Sequence, residues 1–359
     1  MRSSRAVCAL ACLFALALLA TGCGGDSSTS ETGSGSGEVE SRPAPPKGEF
    51  PRADGKTLRE VINSAPDGPS PLVVSPAGLV YYTGENRFAF GVFELDRSPV
   101  SDAEVALYFS RVPKKTDAQS KSGNKGAIAK AQAEALEMPA VGPFPAAIES
   151  IETQPAFRAL TTSDDANAAH VAYTAEIDFP SDGEWRIGAI VKHDGKTTGT
   201  LLPSAMVGEF TGIPRPGEKA PMISTPTAED AGGDLSKITT RVPPDTQNKV
   251  DYADVYGKEP IVLLFATPQF CESRVCGPVV DVAEQVKETY GDDAAFIHME
   301  IWEENDPGTK KTRPQVRAFN LPTEPWLFTI DRDGTVVESI QGPFGVEKLT
   351  EAVQKVLSA

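Results

Sequence analysis

Apolar positions follow two regimes along the chain. Between about residues 72 and 210 they recur at every second position: Val105, Leu107 and Phe109 share one face, Val171, Tyr173, Ala175, Ile177 and Phe179 another, and Trp185, Ile187, Ala189 and Val191 a third. A period of two sends successive side chains to opposite faces of a strand, so each run predicts a strand with one buried face. Turn signals at 180–183 and 193–195 separate the runs, which predicts an antiparallel sandwich. The stretch 111–142, rich in Lys, Gly, Ser and Ala, breaks the alternation and reads either as a long loop or as a short helix on one edge.

Beyond a Pro- and Gly-rich cluster at 212–221, GIPRPGEKAP, the period changes. Residues 261–266 form the continuous apolar run of a buried central strand. Residues 278–290 then place Val279, Val282, Ala283, Val286 and Tyr290 on one helical stripe, with Pro278 in the first turn and Gly291 at the end. The rest predicts a strand at 294–302, a short helix at 314–319, a hairpin of strands 326–330 and 335–340 around a turn at 331–334, and a closing helix at 346–357. The fold class is therefore two domains, an all-β sandwich followed by an α/β unit.

The amino-terminal pattern is different again. Arg2 and Arg5 precede an apolar run at 6–20, too short to span a bilayer, and the whole reads as an export signal over residues 1–22. Its ending, LLATGC, resembles a bacterial lipobox, which implies lipidation of Cys23 and an extracytoplasmic protein anchored to the cell membrane. Ordinary secretion with a free Cys23 is the alternative. Residues 23–55 are mostly Gly, Ser, Thr, Glu and Pro, too polar to offset ordering entropy, and predict a flexible tether. The domains expected are thus 56–212 for the sandwich and 213–359 for the α/β unit. A net charge of −16 argues against nucleic acid as a partner, because phosphate binding rests on Lys and Arg.

Of the 5 cysteines, Cys8 and Cys12 fall in the signal and Cys23 at the lipid site, leaving Cys271 and Cys276 in FATPQFCESRVCGPVVD. In an oxidising compartment a lone close pair favours a disulfide or a redox dithiol. Residues three apart on a regular helix have Cα atoms about 5 Å from each other, but five apart about 9 Å, beyond disulfide reach. If the two bridge, at least one precedes the helix, and Pro278 in the first turn puts both in the approach loop. His170 and His193 lie in or beside the sandwich strands without a third ligand, so no metal and no cofactor is expected.

The phrases GENRFAFGVFELDRSPVSDAEVALYFS and YTAEIDFPSDGEWRIGAIVKHDG resemble immunoglobulin-like modules of bacterial exported proteins. From Gly217 onward the chain resembles the thioredoxin superfamily, above all its membrane-anchored TlpA-like branch. Gly217-Glu218-Lys219-Ala220-Pro221 is similar to that branch's opening motif, residues 265–271 to its strand-to-active-site step, and Pro325 followed by WLFTIDRDG to its cis-proline strand and hairpin. The resemblance implies a thiolate at a helix amino terminus that attacks a disulfide, a second cysteine that resolves the mixed disulfide, and a substrate strand against Pro325, flanked by Glu324 and Trp326. Helix amides and dipole favour the negative sulfur.

Two departures matter. The family's Cys-x-x-Cys is Cys-x-x-x-x-Cys here, so two registers compete: counted from the strand, with Phe270 just before it, Cys271 is the nucleophile. Counted from the helix, Cys276-Gly277-Pro278-Val279 is similar to Cys-Gly-Pro-Cys with its second cysteine lost, and Cys276 takes that role. Arg274 is placed to stabilise a thiolate and Glu272 to oppose it, unless both are simply solvated. The family's buried acid falls on Leu264, which leaves Glu324 as the nearest substitute by position.

The leading expectation is a lipid-anchored thiol:disulfide oxidoreductase, whose partners are exported proteins with cysteines or a membrane electron donor. Set against it are a binding module with Cys271–Cys276 as a static clip, a copper carrier that lacks the required His after Met299, and a peroxidase whose motif is only approximated by Pro268, Ser273 and Cys276.

Overall fold

The computed structural model describes residues 39–113, 125–165, 167–271 and 274–359. The expected signal, Cys23, the first part of the tether, Glu272 and Ser273 lie outside the described residues. No described helix is long and apolar enough to cross a membrane.

The alternating region folds as two packed antiparallel sheets. Strands β1 (Val73–Pro76), β2 (Gly84–Phe93), β5 (Ala147–Ser150) and β6 (Val171–Phe179) form one, in the order β1-β2-β6-β5. Strands β3 (Glu104–Arg111), β4 (Val141–Pro145), β7 (Gly183–His193) and β8 (Lys196–Val207) form the other, in the order β4-β3-β7-β8. All three sets of alternating residues read from the sequence lie in the single core between the sheets, where Phe88, Phe109, Phe179 and Trp185 pack ring against ring. The outer face of the second sheet is apolar too, because helix α1 (Leu58–Asn63) covers Ala106, Tyr108 and Ile190. Thr57 and Glu60 close a capping box at the start of α1. The interrupted stretch contains helix α2 (Lys125–Leu136), whose Ala131 and Ala135 pack on Val112.

The stretch expected to be a tether is ordered where it is described. Phe50 is 3% exposed and packs with Ala53 against α1, and Arg42 exchanges backbone hydrogen bonds of 2.7 and 2.9 Å with Ile148. A few apolar groups in a polar segment are enough when a neighbouring sheet face needs covering.

The second region is built on strands β9 (Ile261–Phe265), β10 (Ala295–Met299), β11 (Trp326–Ile330) and β12 (Val336–Gln341), in the order β10-β9-β11-β12. β10 runs parallel to β9, and β11 and β12 are antiparallel. Helices α5 (Cys276–Tyr290) and α7 (Val346–Leu357) cover one face, over Leu264, Phe296 and Leu327. The other face, with Phe265, Trp326 and Phe328, is covered by α4 (Tyr252–Val255), α6 (Pro314–Ala318) and Val80 from the sandwich side. Residues 39–359 belong to one compact unit, Glu38–Ala359.

Candidate active site

The chemistry sits where β9 ends. Its carboxyl end leads through Thr267 and Pro268 into the cysteine loop, and the register Trp326↔Phe265 places Pro325, whose bond to Glu324 is cis, at the same end of the sheet. Cys271 and Cys276 are joined in a disulfide with Cα atoms 5.9 Å apart, far closer than five residues of regular helix would allow. The loop achieves this by turning back at Arg274, which has a φ of 57°, in the left-handed region.

Helix α5 begins at Cys276, not near Pro278. Cys271 therefore precedes the helix as expected, whereas Cys276 is its first residue and not part of the approach loop. Pro278 is tolerated because the amides of the first turn have no intrahelical acceptor. The two sulfurs have unlike surroundings. Cys276 is wholly buried among Val279, Val280 and Leu264, while Cys271 is half-buried at the edge of that core. Val275 caps the helix without a side-chain hydrogen bond, so the helix dipole acts on Cys276 unattenuated by a capping group.

The sandwich supplies the other wall, which the sequence did not suggest. Ile151, Ala169 and Ala172 form a small apolar cluster with Val275, and Cys271 packs against it. The short helix α3 (Leu160–Ser163), between β5 and β6, lies over the start of α5 so closely that a Cβ on Gly277 would meet Thr162 Oγ1 at 2.9 Å. Leu160 N–H donates to the Val242 carbonyl at 2.7 Å. Arg274, its side chain 39% exposed, is paired rather than simply solvated. Its guanidinium grips both oxygens of Asp165 at 2.5 and 2.6 Å.

Under the loop lies a layer of buried polar groups. His298, wholly buried on β10, is 2.8 Å through Nδ1 from Asp245 Oδ2 and 3.1 Å through Nε2 from the Ala266 carbonyl. Burial alone would lower the imidazole's pKa, but the charge and hydrogen bond of Asp245, helped by Glu300 and Ala266, raise it to about 9. Asp245 is disfavoured by burial and yet held well below the usual carboxylate range by His298 and Thr239. On α5, Asp281 accepts from Arg241 Nε at 2.8 Å and from Ala159 N–H at 3.1 Å, while burial pushes its carboxyl up against the pull of Arg241.

The remaining expected site residues divide. Trp326 is a core residue, stacked on Phe328, with Nε1 donating to Thr323 Oγ1 at 3.2 Å, and Pro325 is buried beside it. Trp326 thus offers no ring to a substrate. Phe270, 37% exposed, and Glu324, half-buried, stay at the surface. His170 pairs with Glu152 at 2.8 Å and His193 lies 3.3 Å from Asp102. Among the described residues no three His, Cys, Asp or Glu side chains group as a metal site. A peroxidase would need an accessible Cys276, and it is buried.

No family model matches the chain, and no curated protein does. Solved structures are similar to part of it, two from Chlorobium tepidum among them. A thiol:disulfide interchange protein, a thioredoxin family protein from Chlorobium tepidum TLS, is 22% identical over 40% of this chain and 97% of that one, with a TM-score of 0.28. A putative thiol:disulfide interchange protein DsbE from Chlorobium tepidum is 19% identical over 40% of this chain and 99% of that one, with a TM-score of 0.27.

Proposed function

We propose that this protein is a thiol:disulfide oxidoreductase that exchanges through Cys271, with Cys276 as the resolving cysteine. The observation that carries the reading is the unequal burial of a disulfide set at a helix start: Cys271 is half-exposed at a cleft, Cys276 is 0% exposed. An incoming thiolate reaches only the Cys271 sulfur. Attack forms a bond between substrate sulfur and Cys271, breaks Cys271–Cys276, and leaves the electron pair on Cys276 at the positive end of α5. A second substrate thiolate then displaces Cys271, so the substrate becomes a disulfide and the protein a dithiol, with the protons of two substrate thiols ending on two protein thiols. The reverse sequence reduces a substrate disulfide, again through Cys271.

The order β9, α5, β10, β11, β12, α7, with Pro325 at the cysteine end of the sheet, supports a thioredoxin-like reading of residues 213–359. For the first region, strands named A, B, C, C′, D, E, F and G in chain order give sheets A-B-E-D and C′-C-F-G, which supports the immunoglobulin-like reading. The lipobox-like LLATGC supports an extracytoplasmic protein anchored through Cys23 and acting on exported proteins that contain cysteines.

Single variants test the assignment. Cys276→Ser should accumulate a mixed disulfide on Cys271 when mixed with disulfide-bonded insulin, the Cys271 thiolate displacing one insulin sulfur as a thiol, seen as a gel-shifted adduct. Cys271→Ser should form none and lose at least about 99% of wild-type exchange, as expected when a nucleophile is removed. Adducts on Cys276 instead would reverse the assignment. A reduction potential below about −300 mV with no exchange would make the pair a static clip.

A further inference from the structure

The sandwich and the cysteine loop enclose a cleft of about 1300 Å³ whose lining includes Cys271, Arg274 and Val275 from the loop and β1, the end of β2 and α3 from the sandwich. Four of the large apolar side chains that stand most open to solvent converge on it: Leu95 at 78% exposure, Leu160 at 54%, Val73 at 44% and Val242 at 42%. Scattered exposed apolar residues are ordinary, but a convergent set beside a reactive bond is not. Such a patch costs solubility, and this one surrounds the accessible sulfur of the disulfide.

We infer that this cleft holds an extended polypeptide segment carrying a cysteine among apolar residues, and that Leu95, Leu160 and Val242 select it. This rests on the oxidoreductase reading and names its substrate class. Three observations point to that occupant. The disulfide at the cleft reacts with a thiol, which fixes the group delivered to Cys271. The volume exceeds the roughly 300–1,000 Å³ usual for small-molecule sites, so a tripeptide thiol such as glutathione would leave much of the apolar lining wet. The lining holds two cations, Arg97 and Arg274, against three carboxylates, Glu94, Asp164 and Asp165, one of which already engages Arg274. It therefore has no net positive charge to draw an anionic thiol such as glutathione, while Leu95, Leu160, Val73 and Val242 offer apolar contact. A segment with apolar neighbours around its cysteine is exposed only before a protein has folded, so the cleft fits unfolded chains better than finished ones.

The test uses the full chain, with binding and chemistry read separately. A fluorescein-labelled peptide with serine in place of its cysteine, flanked by leucine and phenylalanine, should bind the oxidised protein by anisotropy. The same peptide with serine and glutamine flanks should bind at least about tenfold more weakly. Leu95→Gln and Leu160→Gln should each weaken binding of the apolar peptide about tenfold. With the cysteine-containing peptide, each should lower the ratio of peptide to glutathione exchange rate by a similar factor. Met222→Gln, at an exposed apolar residue outside the cleft, should do neither. Equal affinity for the two peptides, or cleft variants indistinguishable from wild type, overturns the inference. Binding without any exchange, by peptide or glutathione, removes the oxidoreductase reading but keeps the cleft as a peptide site; glutathione exchange without peptide binding does the reverse.

Discussion

His298 and Asp245 form an ion pair with no exposed atom, directly beneath the carbonyl of Ala266 from which the cysteine loop departs. Both ring nitrogens have oxygen partners, so the doubly protonated imidazolium satisfies the pocket and the neutral ring leaves one nitrogen without a proton to donate. The sign of the pH dependence follows. The folded pKa of His298, about 9, lies above its unfolded value near 6.5, so its contribution to stability is complete below about pH 6.5 and is lost as pH rises through about 9. Asp245 shifts downward, so its contribution is present above its unfolded value and is lost only as pH falls below it. Urea unfolding of wild type and Asp245→Asn should therefore show the largest gap near pH 5–6.5, shrinking by pH 9.5; a gap that stays constant or widens across that range would mean that His298 is neutral in the fold. Neither residue was recognisable beforehand as a pair. In the sequence His298 is a single polar residue inside the apolar strand AFIHM, and its partner lies 53 positions earlier in a segment with no periodicity. The cysteines were legible because their chemistry is local, whereas their unequal burial depends on how α5 docks on the sheet, which sets Cys276 in the core with Leu264, Val279 and Val280 and leaves Cys271 at its edge.

At the scale of elements, α5 departs most from its sequence reading. One apolar stripe was visible, but its first two turns are buried nearly all round, from Cys276 to Ala283, because the sandwich covers the face opposite the sheet. That face contains Asp281, which joins three elements: Arg241 from the irregular segment before β9, Ala159 N–H before α3, and α5 itself. Arg241 in turn donates through Nη2 to the Phe157 carbonyl at 2.6 Å. A pair 7% and 1% exposed is expensive to break from one side, because the survivor keeps its desolvation cost without its partner. Arg241→Met should therefore cost about 3–5 kcal/mol in denaturant unfolding, while Arg241→Met with Asp281→Leu should recover most of that loss. If the double variant is as unstable as the single one, the bonds to Phe157 and Ala159 matter more than the charge pair. Alternation marked the sandwich strands because one face of each meets a single core. The segment 222–250 was silent because its order comes from acids on other elements, such as Glu300 accepting from Thr240 N–H at 2.7 Å.

At the scale of the whole molecule, the sequence boundary near residue 213 separates two sheets systems but not two independent bodies. Val80, ahead of β2, is buried in the core of the second region, and Gln341 of β12 accepts the amides of Leu79 and Val80 at 3.0 and 2.9 Å. Glu149 of β5 receives Gly345 N–H at 2.6 Å, just before α7, and Arg87 of β2 reaches the Pro343 carbonyl at 2.8 Å. A Cβ on Gly345 would collide with the Ser150 carbonyl, so this approach is close enough to require glycine. Two regions in one chain commonly unfold separately, but here the sandwich region contributes Val80 to the core of the second, the two share the small cluster of Ile151, Ala169, Ala172 and Val275, and both line the cleft at Cys271. We therefore expect one cooperative transition. Of the 3 tryptophans, Trp185 reports on the sandwich, and Trp302 and Trp326 on the second region. Trp185→Phe and the Trp302→Phe/Trp326→Phe double variant thus leave one reporter region each. Changes in fluorescence and in circular dichroism should coincide within each variant, showing that both regions melt together. Gln341→Ala orphans two backbone amides at the junction and should cost about 1–3 kcal/mol, shifting the midpoint seen by either reporter. If it moved only the second region's transition, or if wild type melted in two steps, the halves would be independent, and the wall opposite Cys271 would be free to swing away from the disulfide it covers.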